Sequence, residues 1–197
     1  MEPPGERPAR ALLGARWAGA LRRAARLATR KGVFVSTENA DVVPLRRPPV
    51  RQSTLVRSDV AHTFDVFVDT IGTWWPLQPY SIGQDKVREV VFERAPGGRV
   101  YEVWADGTDV TWGHLLAWEP PHRFVMTWEA LPPGTEVELT FRGLGPALTR
   151  VAVEHRGWEN LTEEQVAAAA GGYRTGWTTI LAAFVDRFQS FETEETP

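Results

Sequence analysis

Two side chains in this sequence have the type and placement for acid–base chemistry, Glu102 and His155. Glu102 alternates with Val100 and Trp104 in the run Arg99-Val-Tyr-Glu-Val-Trp104, and His155 alternates with Val151 and Val153. A period of two places such residues on one face of a strand, so both are candidates to point inward. A buried carboxylate near a histidine suits proton transfer, because burial raises the carboxylate pKa while attraction between the two opposes that rise. In the competing arrangement His155 ends its strand on a backbone carbonyl and Glu102 faces outward. Tyr173 is a third titratable candidate.

Other chemistries are excluded or unsupported. The chain has no cysteine, which removes disulfides, thiolate metal sites and cysteine nucleophiles and suits a reducing cytoplasmic compartment. No G-x-S-x-G elbow, Walker A loop or H-E-x-x-H zinc motif occurs. Gly143-Leu-Gly145-Pro-Ala-Leu148 begins like a dinucleotide fingerprint, but its third glycine is missing, a proline follows and a strand comes next. His62, His114, His122 and His155 lack metal-ligand spacing, and Asp106 and Asp109 are better explained by turn chemistry than by calcium. No metal and no cofactor is expected.

The elements that must position these residues follow from periodicity. Residues 51–57 predict a first strand. Ser58 or Asp59 then caps a helix with the stripe Val60, Phe64, Phe67, Val68 and Ile71, closed by Gly72 ahead of Trp74-Trp75. Strands follow over 87–94, 99–104, 110–118, 122–128, 136–141 and 149–155, and Asp106-Gly107 marks a tight hairpin. Val137, Leu139 and Phe141 share an inner face with Val151, Val153 and His155; Phe124, Met126 and Trp128 are apolar on one parity too. A Thr162/Gln165 capping box with a Leu161–Val166 staple opens the last helix, whose stripe is Tyr173, Trp177, Ile180, Leu181, Phe184 and Phe188. The order predicts an α+β domain, an antiparallel sheet curved around a helix with a cavity between.

Nine tryptophans are the compositional anomaly. Each buries about 150–250 Å², so most must line a core or a cavity. Trp17 and Trp158 read as peripheral.

Charge divides the chain near residue 50. Residues 1–50 hold ten basic side chains against four acidic ones, and the remainder holds twelve against twenty-one. Residues 10–30 form a basic amphipathic pattern, with Leu13, Trp17, Leu21 and Leu27 opposite Arg16, Arg22, Arg23, Arg26 and Arg30. That pattern suits contact with an anionic membrane surface, or a leader produced by an upstream start with Val35 as the natural beginning. Residues 1–50 are thus expected to be a partly helical or disordered extension and linker, residues 51–191 the folded domain, and residues 192–197 an acidic tail. The acidic folded part argues against nucleic acid, and no apolar run reaches the length of a membrane span.

The ordered set of local motifs resembles the START-like superfamily, whose members have the helix-grip fold. Within it the chain is most similar to homologues of the C-terminal domain of the heat-shock-protein-90 ATPase activator. The residues that carry the resemblance are Phe67-Val-Asp-Thr-Ile-Gly-Thr-Trp-Trp-Pro76, Gly97-Gly98, Asp106-Gly107, Trp112-Gly113, Trp118-Glu-Pro-Pro121, Thr127-Trp128, His155-Arg-Gly-Trp158 and Gly172-Tyr-x-x-Gly-Trp177. The resemblance implies a curved sheet of about seven strands wrapped on a long C-terminal helix. It also implies a cavity for an apolar lipid- or polyketide-like molecule, or alternatively a module that binds a chaperone or other protein, or a cyclase-like enzyme. The expected cavity residues are Trp75, Tyr80, Trp104, Trp128, His155, Tyr173 and Trp177, with Trp75 inward, Tyr80 near the opening and Trp74 against the helix. The co-chaperone's preceding chaperone-binding domain has no counterpart here, where fifty basic-rich residues stand instead.

Overall fold

The computed structural model describes residues 47–129 and 134–194; the amphipathic pattern over 10–30, Trp17 and the last three residues lie outside them. Strand β1 (Val50–Val56) leads into helix α1 (Val60–Asp69), where the Asp59 side chain accepts the His62 N–H at 2.9 Å as an N-cap. The helix ends earlier than the expected Gly72. Thr70 is its C-cap, and both the Thr70 N–H and the hydroxyl at 2.8 Å donate to the Val66 carbonyl. Gly72 instead sits inside a one-turn helix α2 (Ile71–Trp74), followed by a kinked turn over Leu77–Tyr80 and a 3₁₀ turn over Gln84–Lys86. We call the segment from Trp75 to Lys86 the strap.

Six further strands follow: β2 (Val87–Phe92), β3 (Arg99–Trp104), β4 (Asp109–Glu119), β5 (Arg123–Trp128), β6 (Thr135–Gly145) and β7 (Leu148–Arg156). They join β1 in one antiparallel seven-stranded sheet of order β1-β7-β6-β5-β4-β3-β2. The β3–β4 hairpin turns at Gly107, whose φ of +85° lies in the left-handed region open to glycine. The Asp106 carboxylate accepts the Thr108 N–H at 3.0 Å across that turn. The β6–β7 hairpin is longer than periodicity predicts, because backbone pairing continues to Gly145–Leu148 after the apolar alternation has stopped.

Helix α3 (Glu163–Glu194) closes the chain. Its capping box forms as expected, with the Thr162 N–H on Gln165 Oε1 at 2.9 Å and the Gln165 N–H on Thr162 Oγ1 at 3.3 Å. All six residues of the α3 stripe are buried, as are the alternating residues of β5, β6 and β7. Helix α1 wedges between the two layers: Phe67 stands 5.4 Å from Phe141 of β6 and 4.9 Å from Phe184 of α3, ring centre to ring centre. No described helix is long and apolar enough to cross a membrane. The architecture is the α+β helix-grip arrangement, a curled half-barrel of seven antiparallel strands on a C-terminal helix.

Candidate functional site

Between sheet and helix lies a void of about 20 Å³. Trp75, Trp112, Trp128 and Trp177 wall it together with Phe67, Ile71, Phe92, Val100, Phe124, Met126, Val137 and Leu139. The walls come from α1, α2, the strap, the sheet and α3, so the void marks the place where every layer meets. Its volume holds about one water, and its lining gives a water no polar partner. A site for a drug-sized molecule spans about 300–1,000 Å³, so in this structure side chains fill the space where the ligand-sized cavity was expected. The indoles are in mutual contact: ring centres lie 4.9 Å apart for Trp75–Trp112, 6.0 Å for Trp75–Trp177 and 5.6 Å for Trp128–Trp177.

Glu102 points inward and is fully buried, which removes the outward alternative. Its carboxylate accepts four N–H groups: the backbone amides of Ile82 (3.1 Å) and Gly83, and the indoles of Trp104 (2.7 Å) and Trp112 (2.8 Å). All four donors are neutral, and among the described residues no ion pair involves Glu102. Four N–H bonds satisfy a carboxylate without a counter-ion, because they replace the water it gave up. They also bind the strap to β3. Gly83 lies so close to the Trp104 indole that a Cβ would run into it. Lys86 Nζ stands 5.1 Å over the same ring, and the Ala105 N–H donates to the Lys86 carbonyl at 2.8 Å. Within the strap, the Trp75 indole donates to the Tyr80 carbonyl at 3.0 Å.

His155 is also fully buried, and its tautomer follows from its neighbours. An indole nitrogen can only donate, and Trp177 Nε1 stands 3.3 Å from His155 Nδ1. The proton therefore sits on Nε2, which meets Thr135 Oγ1 at 3.0 Å. So His155 bonds side chains rather than the expected backbone carbonyl. Burial pushes its pKa down from 6.5 to about 3, keeping it neutral at physiological pH. Tyr173 accepts the Trp128 indole N–H at 3.0 Å; burial raises its pKa, outweighing that bond, so it too is uncharged.

Of the sequence-derived cavity residues, Trp75, Trp128 and Trp177 line the void. His155 and Tyr173 form the polar layer behind Trp128, 5.9 and 6.3 Å from its ring, and Trp104 and Tyr80 belong to the strap's attachment. Glu102 and His155 are not brought together: β4, β5 and β6 separate their strands in the sheet. With every hydrogen-bonding position taken, both act here as fixed acceptors and donors that orient indoles. The sequence reading missed Trp112, which both lines the void and anchors Glu102, because a register shift in β4 interrupts the alternation around it. It also misplaced Trp158. That residue is buried, follows the left-handed Gly157 (φ +90°), and donates its indole N–H to the His155 carbonyl at 2.7 Å.

A larger depression, about 450 Å³, lies on the outer sheet face and is lined by residues that include Arg51, Ser53, Glu138, Arg150 and Glu154. It is open and charged. Burial pulls the Glu138 pKa up, but hydrogen bonds from Arg123 and Arg156 outweigh it and hold the carboxyl below its usual range. Among the described residues no cluster of three metal-ligating side chains occurs.

Residues 60–189 match a family model described as activator of Hsp90 ATPase homolog 1-like protein. Among solved structures, the chain is similar to a self-sacrificing resistance protein, CalC, from Micromonospora echinospora, at 27% identity and a TM-score of 0.54, covering 73% of this chain and 95% of that one. It is similar to an anthrahydroquino-gamma-pyrone synthase, Txn09, at 31% identity and a TM-score of 0.47, covering 73% and 99%. Protein NE0264 from Nitrosomonas europaea shares the fold at 13% identity and a TM-score of 0.54, covering 74% and 97%. Comparison with curated proteins gives no match.

Proposed function

The chain belongs to the activator of Hsp90 ATPase homolog 1-like family of START-like proteins, and from that premise we propose that it binds an apolar small molecule between its sheet and C-terminal helix. The observation that carries this reading is the void: a space lined by apolar side chains, at the meeting point of all the elements, with four indoles in its wall. A protein interior normally packs to a density of about 0.74 with few such gaps. Aromatic walls suit a flat apolar ligand, since ring faces and edges stack at about 4.5–7 Å between centres.

Binding needs the site to widen. The wall that moves in this reading is Trp75, because the strap that carries it is short and irregular in backbone, tied to β3 by the Ile82 and Gly83 bonds to Glu102 and packed on the sheet through Trp75 and Gly83. The strands are held in one continuous antiparallel sheet and α3 buries its stripe from Tyr173 to Phe188, so in this reading they stay in place. In this reading Trp128, Trp177 and the His155–Tyr173 layer form a fixed floor, and Trp75 with Tyr80 forms the door.

The test is extraction and titration of the full chain. Native mass spectrometry of protein purified without denaturant is expected to show a bound apolar molecule. With 5-fluorotryptophan incorporated, the ¹⁹F resonances of Trp75, Trp112, Trp128 and Trp177 are expected to shift on adding it back. Repeated ligand-free spectra, with no ¹⁹F response to aromatic ligands, would overturn the reading.

A further inference from the structure

We propose that Glu102 determines the specificity of this interior site: it selects a neutral aromatic ligand carrying O–H groups, which take over the hydrogen bonds that the Ile82 and Gly83 amides make in the closed protein. The proposal rests on the interior-binding reading and names the ligand class.

The order of residues along β3 places Glu102 on the path inward. Val100 is a wall of the void, Glu102 is the next residue on the same face, and Trp104 follows beneath Gly83 of the strap. The Trp112 indole is shared, since one face of it closes the void and its N–H bonds Glu102. A ligand that enters by displacing the strap therefore passes the carboxylate or comes to rest beside it.

Displacement changes the hydrogen bonding of Glu102 in a defined way. With the strap in place it has four N–H donors; with Ile82 and Gly83 withdrawn it keeps the two indoles. A buried carboxylate stripped of donors is costly, and among the described residues no cation forms an ion pair with Glu102, Lys86 standing over the Trp104 ring instead. A pure hydrocarbon leaves that cost unrelieved. An anionic ligand adds a like charge beside a buried one. Each phenol or alcohol O–H restores one of the two missing donors and adds no charge, so one hydroxyl relieves part of the cost and two relieve it in full. The ring fills the aromatic space and the hydroxyl replaces the strap.

Three probes with one ring system separate these cases: 1-naphthol, naphthalene and 1-naphthoate, titrated into the full-length wild-type protein at neutral pH. The expected order is naphthol tightest, by roughly tenfold or more over naphthalene, as a hydrogen bond to a charged acceptor implies. Naphthoate is expected to bind most weakly. Naphthol is also expected to speed amide hydrogen exchange at Ile82 and Gly83, whose N–H groups it frees. Glu102→Leu should erase the preference for naphthol over naphthalene. If that variant does not fold, the wild-type series and the exchange data decide the matter. Equal binding of naphthol and naphthalene, or naphthol binding without faster exchange at Ile82 and Gly83, overturns this proposal and leaves interior binding standing. No binding by any of the three, with unmoved ¹⁹F resonances, overturns both.

Discussion

His155 shows how a polar residue becomes part of a core. It accepts from one indole, donates to one hydroxyl and lies tilted against Trp158 at 4.5 Å between ring centres, so neutral imidazole is satisfied while imidazolium would have an N–H aimed at the indole nitrogen of Trp177. Its folded-state pKa of about 3 lies below the ordinary 6.5, so the unfolded chain takes up a proton first as pH falls. The stability it contributes is therefore complete above about 6.5 and is lost progressively towards 3. Through that window His155 alone makes unfolding easier by up to about 1.4 kcal/mol per pH unit. Urea midpoints of the wild type and His155→Gln, taken from neutral to acid pH, should diverge in slope, with the glutamine variant flatter. Parallel curves would show that other groups set the acid limb.

At the scale of elements, periodic segments were legible from sequence and aperiodic ones were not. Strand faces, the α3 stripe and the Thr162/Gln165 box follow local rules, so alternation and capping chemistry located them. Removing the cap through Thr162→Ala is expected to lower stability by about 1 kcal/mol, read from the denaturation midpoint at unchanged m-value. A loss below a few tenths would mean that helix packing, not the cap, fixes where α3 begins. Glu102 could be aimed inward by its parity with Val100, but its partners could not be named. They lie twenty residues upstream in a strap with no repeat, and β4 hides Trp112 behind a register shift. Trp158 escaped for the same reason, since it sits on a 3₁₀ turn after a left-handed glycine rather than on a stripe. The strap also shows how little tolerance such a segment has: Gly83→Ala puts a methyl into the Trp104 indole and is expected to raise amide exchange at residues 82 and 83 without melting the sheet. Unchanged exchange there would show that the ring yields instead.

For the molecule as a whole, the fold class and the strand number came from the order of elements, whereas the void's size came from side-chain volumes that no pattern encodes. Its tryptophans also have a consequence beyond packing. Trp74, Trp75, Trp112, Trp128 and Trp177 form a chain of near neighbours, with successive ring centres 5.7, 4.9, 6.4 and 5.6 Å apart. Indoles this close share their excited states. Light absorbed by one migrates through the set before emission, so the folded protein should depolarise its own fluorescence even when held rigid in a viscous glass. Its circular dichroism should carry a coupled indole band that weakens in Trp112→Phe, a change larger than the loss of one ring among nine explains. These five rings are therefore expected to act as one coupled chromophore, so that movement of any one of them alters the optical signal of the set.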